Sequence, residues 1–310
     1  MQRSDVVRLD ASRGLPNAQR KSQFESKYEP ETGTLWGRFD PSGTPCFNLG
    51  LLNDIRIHDG MLHANEGRVL WQGALHPVNT YVVGSRVPGV FNLGGDLALF
   101  VLLIKSRERE ALAHYAKLCI DNIYPRMRNY FCPWLTTVSL VQGDALGGGF
   151  ETALSSDVII AEESAQMGLP EILFNLFPGM GAFSMLARRL GMRAAEEMIT
   201  SGRILPATKL HEMGIVDVLA KDGEGESAAR QWLARTQRRR NGFQAVQQAR
   251  RHVNPITREE LDRVAEVWVD AALRLDDRDL KMMGRIVRSQ MRRMEGETAE
   301  PVQEAMSRGA

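Results

Sequence analysis

Twice in this chain a short apolar run reaches a cluster of glycines and then opens onto a helical stretch. The first instance runs from Thr80–Val83 to Gly94-Gly95-Asp96 and the block beginning at Leu97. The second runs from Thr136–Val141 into Gly147-Gly148-Gly149, and Asp157–Ala161 is a further strand of the same kind. Strand, glycine turn and helix in repetition require parallel strands joined by crossover helices, which makes this an α/β chain. The repeat is too irregular for a solenoid.

Other elements are placed around this pattern. Thr34–Asp40 and Pro45–Leu49 have strand character, and Asp40-Pro41-Ser42-Gly43 between them predicts a hairpin. Asn53–Gln72 has helical spacing through Ile55, Leu62 and Leu70. Beyond Gly168 helical blocks follow at 182–190, 193–201 and 206–213, then a strand at Ile215–Leu219 and helix from Gly225. Thr257–Leu275 is the clearest helix, with Thr257 and Glu260 as a capping box and one apolar stripe that includes Leu261, Ala265 and Trp268. A second helix is expected over Leu280–Met294. Residues 1–30 are polar without apolar period and read as a flexible lead-in, and 295–310 as a similar tail. The expected division is therefore 1–30, a core at 31–222 carrying the active site, a helical region at 223–294, and 295–310.

With 43% apolar residues, disorder is excluded for the chain as a whole. The 39 basic and 38 acidic residues leave a net charge of +1, so no global attraction to nucleic acid or an anionic membrane follows. Cys46, Cys119 and Cys132 form no CxxC pair and are odd in number, which points to reduced, cytoplasmic thiols. Met1–Asp10 carries charges where a signal peptide needs an apolar run, and Leu97–Ile104 is too short to span a bilayer. The six histidines have no metal-ligand spacing, so no metal is expected, and His58 is expected at the surface. No GxSxG elbow is present for a serine hydrolase. Gly147–Gly149 follow a strand, but GDALGGG is not GxGxxG, which weakens a dinucleotide-binding reading.

The chemistry collects at the glycine turns. Two such turns expose backbone N–H groups with no side chain in the way, and two converging donors, from Gly95 and Gly148, make an oxyanion hole. The competing reading is that the glycines serve only the positive φ of each turn. Glu151 lies three residues past Gly148, ~4.5 Å along a helix that starts there. Glu171 follows the turn Met167-Gly168-Leu169-Pro170, a rigid loop able to return a side chain to the same pocket. Two carboxyls beside an oxyanion hole suit proton movement at the carbons next to a carbonyl. An apolar wall of Leu146, Phe150, Ile172 or Leu173 would raise their pKa values. Against this, Glu151 could be an ordinary helix-N-terminal carboxylate and Glu171 solvated. Asp96, between Gly95 and Leu97, is read as a helix N-cap.

The segments Gln142–Glu151 (QGDALGGGFE), Gly168–Ile172 (GLPEI), Phe177–Gly181 (FPGMG) and Phe91–Leu97 (FNLGGDL) together resemble the crotonase, or enoyl-CoA hydratase, superfamily over about residues 34–293. The resemblance implies the crotonase fold, with repeated ββα units in a spiral core and a C-terminal helical region. It implies that Gly95 and Gly148 donate to a thioester oxygen and that Glu151 and Glu171 are the catalytic pair. More narrowly, VFNLGGDLALF, MGLPEILFNLFPGMGA, EVWVDAAL and RIVRSQ are similar to the diffusible signal factor synthases. Ordinary hydratases usually carry an Ala-Gly-Ala-Asp-like turn where this chain has Leu-Gly-Gly-Asp.

That similarity implies dehydration of a 3-hydroxyacyl thioester to its cis-2-enoyl form, followed by hydrolysis to a cis-2-unsaturated signal acid. An ordinary trans-2-enoyl-CoA hydratase or isomerase is the alternative. The thioester would ride on the phosphopantetheine of acyl carrier protein or on coenzyme A, with no other cofactor. A sensor histidine kinase partner and assembly as trimers or pairs of trimers are further implications. Trp268, Met283 and Ile286 are candidates for an apolar acyl slot, with plain core packing as the alternative. Arg235, Arg238, Arg239 and Arg240, with Arg250 and Arg251 beyond, are either a solvated helix face or a dock for an acidic carrier or for phosphates.

Overall fold

The structure is a computed structural model that describes residues 21–294, with side chains as far as Gln290. A first unit comprises β1 (Phe24–Glu29), β2 (Thr34–Phe39), α1 (Leu49–Ala64) and a small hairpin, β3 (Arg68–Trp71) and β4 (Ala74–Pro77). Three strand–strand–helix units follow. They are β5 (Thr80–Ser85), β6 (Gly89–Asn92), α2 (Leu97–Lys105) and α3 (Arg109–Met127); then β7 (Thr136–Val141), β8 (Gly143–Leu146) and α4 (Gly148–Leu154); then β9 (Val158–Glu162), β10 (Gln166–Gly168), α5 (Ala182–Leu190) and α6 (Met192–Ser201). β11 (Ile204–Pro206), α7 (Ala207–Glu212) and β12 (Val218–Ala220) complete the sheets. α8 (Gly225–Gln237), α9 (Arg240–Val253), α10 (Arg258–Ala272) and α11 (Asp277–Met294) make the helical region.

In each of the last three units the first strand joins one sheet and the second strand another. The larger sheet has the order β1-β2-β5-β7-β9-β12 and the smaller β11-β10-β8-β6. This is the spiral ββα architecture of the crotonase fold. The larger sheet is covered on both faces, so β7 is buried at all six positions. Trp36, Val82, Val138, Leu140, Val158 and Ile160 point to one side, where α8 packs, while Tyr81, Val83, Val141 and Ile159 enter the main core. In the smaller sheet β6, β8 and β10 are parallel, so their C-terminal ends open on one edge. The two glycine turns and the Pro170 turn all leave from that edge. No helix among the described residues is long and apolar enough to cross a membrane, and the three cysteines are buried and free.

Several expectations need correction. The lead-in ends earlier than residue 30, because Phe24 and Tyr28 on β1 bury against the main core and β1 pairs antiparallel with β2. Residues 1–20 and 295–310 lie outside the described part. The partner of Thr34–Phe39 in a hairpin is thus β1; Pro45–Leu49 forms no strand and instead bridges to the first glycine turn at Phe47 and Gly95. Asn53–Gln72 is not one helix, since α1 ends at Ala64 and Arg68–Trp71 is extended. His58 is buried, its ring nitrogens 2.8 Å from Asp59 Oδ1 and 2.8 Å from Ser26 Oγ. Arg250 and Arg251 are not wholly solvated, for both reach the buried Asp157. At the helical end Thr257 accepts from Glu260 N at 3.1 Å, but Glu260 pairs with Arg188, so only half of the capping box forms.

Candidate active site

The first turn owes its shape to a break in the β6 ladder. Pairing with β8 slips between Val90 and Asn92, a bulge that re-aims the end of the strand. The fully buried Asn92 then accepts from Gly94 N through Oδ1 at 2.8 Å, and Gly94 sits at φ +95°, a conformation that excludes most side chains. The stretch before α1 clamps this turn from outside. Leu93 N donates to Pro45 O at 2.8 Å and Phe47 N to Gly94 O at 2.7 Å. From α3, Tyr115 donates its hydroxyl proton to Phe47 O at 2.5 Å and accepts from Asp96 N at 3.3 Å. Asp96 caps α2, taking Leu99 N at 3.0 Å, as its position predicted.

The second turn is built in the same way. Gly147 N donates to Gly168 O at 2.9 Å, which ties the turn to β10, and Gly147 holds φ +51°. A Cβ there would collide with Glu171 Oε1, so only glycine admits that carboxyl. Gly148 opens α4, where the first amides of a helix have no internal acceptor. In the first turn the amides of Leu93, Gly94 and Asp96 are used internally, as is Gly147 N in the second, whereas Gly95 N and Gly148 N have no acceptor among the described residues. The two turns abut. A Cβ on Gly94 would lie 3.1 Å from Gly148 N, and one on Gly148 3.6 Å from Gly95 N. Two donors this close have the spacing that an oxyanion hole requires.

Glu151 is one turn into α4, only 2% exposed, and its Oε1 accepts from Met180 N at 2.8 Å and Ala182 N at 3.0 Å. Those amides come from the Phe177–Gly181 loop and from the first residue of α5. Trp268 on α10 packs so closely on Gly179 that a Cβ there would enter its ring. Burial pushes the Glu151 carboxyl up to about 7, and the two amides hold it from going higher. Glu171 is the second residue of the single turn Pro170–Phe174. The residue is partly exposed, yet its Oε2 is buried and has no hydrogen-bond partner. Burial, and then the nearby Glu151 charge, push it up to about 8. The two acids therefore form one coupled electrostatic site.

Both acids and both glycines line one cavity of about 700 Å³, counted out to its open mouth. Of the expected apolar residues, Leu146, Trp268 and Ile286 line it. Phe150 is fully buried on the far side of α4 and Met283 is enclosed in the core, so neither faces the cavity. Ile172 and Leu173 are 37% and 38% exposed and lie outside it, because the tight turn after Pro170 sends Glu171 inward and the next two side chains out. Phe174 and Leu176 supply the wall instead. Sequence reasoning missed Asn92, Phe47 and Tyr115, which set the first turn. The Asn two residues before the glycine was a readable signal; Tyr115, 68 residues from Phe47, carried none.

Residues 77–284 match the family described as Enoyl-CoA hydratase/isomerase. Among curated proteins, the chain is 35% identical over 157 residues to mouse (Mus musculus) mitochondrial methylglutaconyl-CoA hydratase, an alignment covering 50% of this chain and 48% of that protein. It is 36% identical over 152 residues to human (Homo sapiens) mitochondrial enoyl-CoA hydratase domain-containing protein 2, covering 49% of each. The alignments thus span about half the length of these relatives. Among solved structures, human mitochondrial delta3-delta2-enoyl-CoA isomerase superposes with a TM-score of 0.69 at 20% identity, over 89% of this chain and 99% of that one. Pseudomonas aeruginosa DspI superposes with a TM-score of 0.61 at 23% identity, over 76% of this chain and 91% of that one.

Proposed function

The chain belongs to the enoyl-CoA hydratase/isomerase family, and from that premise we propose that it dehydrates a 3-hydroxyacyl thioester to the cis-2-enoyl thioester and then hydrolyses it to the free cis-2-unsaturated acid. The observation that carries the reading is the pair of buried carboxyls, at about 7 and about 8, facing two free amides. Such a pair offers one acid and one base at the same pH. Glu171 keeps the proton longer, because Glu151 is steadied as an anion by Met180 N and Ala182 N.

In this mechanism the thioester oxygen accepts from Gly95 N and Gly148 N, which stabilises the enolate formed as one carboxylate removes the α proton. The protonated carboxyl gives its proton to the β oxygen, and water leaves. The new double bond takes cis geometry from the way the cavity folds the acyl chain. In the second step water adds to the thioester carbon with a carboxylate as base. The same amides hold the tetrahedral oxyanion until the C–S bond breaks and the thiol departs with a proton. The thioester is carried on acyl carrier protein or coenzyme A.

Purified protein incubated with a 3-hydroxydecanoyl or 3-hydroxydodecanoyl thioester is expected to release free cis-2-enoic acid, read by mass spectrometry and chromatography against both isomers. A product that remains a trans-2-enoyl thioester would establish plain hydratase chemistry instead. That second reading is favoured by the relatives, a methylglutaconyl-CoA hydratase among them. No turnover of either kind, from folded protein, would overturn both.

A further inference from the structure

A second, more apolar cavity, about 520 Å³ when counted out to its open mouth in the same way, adjoins the active site. The two share Phe47, Cys119, Gly148 and Met180, so no more than one layer of side chains lies between them. α3 runs past both. Cys119 touches each cavity, while Asn122 and Arg126 face only the second, roughly 10 Å along the helix from Cys119 to Arg126.

Those two side chains are at odds with their surroundings. Arg126 is 4% exposed and has no ion pair among the described residues. Its Nη2 donates to Val138 O at 2.8 Å and to Ser156 Oγ at 2.9 Å, and the guanidinium sits 5.4 Å from the Tyr81 ring centre, but Nε and Nη1 are buried without hydrogen-bond partners. Asp59, the nearby acid, is already engaged: Tyr81 donates to Oδ1 at 2.8 Å and Tyr130 to Oδ2 at 2.6 Å, and His58 Nδ1 lies 2.8 Å from Oδ1. Asn122, one turn before Arg126 on the same face, spends its amide on Leu52 O at 3.1 Å and leaves Oδ1 buried and unmatched. Unpaired buried donors beside an unpaired buried acceptor call for a group that both accepts and donates.

We propose that this second cavity receives the far end of the acyl chain, and that Arg126 and Asn122 select a chain bearing a hydroxyl there. The hydroxyl oxygen accepts from Arg126 Nε or Nη1 and its proton goes to Asn122 Oδ1. A methyl end leaves all of them unmatched. A carboxylate end would satisfy Arg126 but set its charge against Asn122 Oδ1 and Asp59. The inference rests on the acyl-thioester reading above and names the substrate class within it.

The test compares kcat/KM of the wild-type protein on decanoyl-length thioesters that differ only at the terminal carbon: hydroxyl, methyl or carboxyl. A butanoyl-length thioester, too short to reach Arg126, is the control. The hydroxyl form is expected to exceed the methyl form by about tenfold or more, since a site built to bond a hydroxyl rejects the analogue without one. Arg126→Met is expected to bring that ratio close to unity. Equal rates for hydroxyl and methyl ends in the wild type, or a preference for carboxyl, would overturn the inference whether or not the variant folds. Equilibrium titration with the same thioesters reads the same ordering, so failure to turn over the butanoyl control counts against the proposed reaction alone.

Discussion

Replacing Glu171 by Gln tests the electrostatics of the site independently of its chemistry. In the folded chain this carboxyl is raised from 4.5 to about 8, chiefly by burial. A carboxyl raised on folding contributes its full stability below the unfolded value, where both states are protonated. It loses that contribution as pH climbs towards the folded value, because the unfolded chain ionises freely and the folded one does not. At ~1.36 kcal/mol per unit, the rise corresponds to on the order of 5 kcal/mol withheld from the wild type above pH ~8. Relaxation of the site and water entry reduce this to several kcal/mol. Gln has nearly the same shape and carries no proton to lose. Urea unfolding of wild type and Glu171→Gln is therefore expected to give similar stabilities near pH ~4, with the variant pulling ahead by several kcal/mol near pH ~8.5. The same variant should be nearly inactive. A gap that stays constant with pH would mean that Glu171 ionises as freely folded as unfolded, and the proton inventory assigned to the pair would be wrong.

The wild-type kcat/KM is expected to be bell-shaped in pH, with limbs at about 7 and about 8; below the first no base remains and above the second no acid. A plateau extending down to pH ~5 would refute the coupled pair. Gly147→Ala places a Cβ at φ +51° against Glu171 Oε1, so kcat is expected to fall by ~10² while near-native circular dichroism persists. Tyr115→Phe removes the hydroxyl that joins Phe47 O to Asp96 N, and a loss of ~1–3 kcal/mol in urea unfolding should accompany slower turnover. Stability loss without any change in kcat would separate Tyr115 from the first turn's geometry.

Residue type and short spacing made much of this protein legible before folding. β7 and α5 were bounded correctly at both ends, since each is a strong apolar pattern between clear turn residues. Asp96 as a cap and Glu151 one turn beyond Gly148 follow from local helix geometry alone. The short strands of the smaller sheet, β8 and β10 among them, escaped notice because three or four residues, rich in glycine, carry no measurable period. The wrong partner for Thr34–Phe39 arose because pairing is set by which face must be buried, and a nearby turn signal cannot report that.

Sequence by itself determined the α/β order, the glycines that free two amides and the identity of the two acids, because these depend on backbone allowance and side-chain chemistry within a few residues. Only the tertiary structure decided that Leu173 faces outward, that Trp268 braces the loop holding Glu151, and that Tyr115 ties the first turn to a segment 68 residues away. It also decided that both acids are raised, since desolvation depends on every atom packed around a carboxyl, however far apart in the chain those atoms begin.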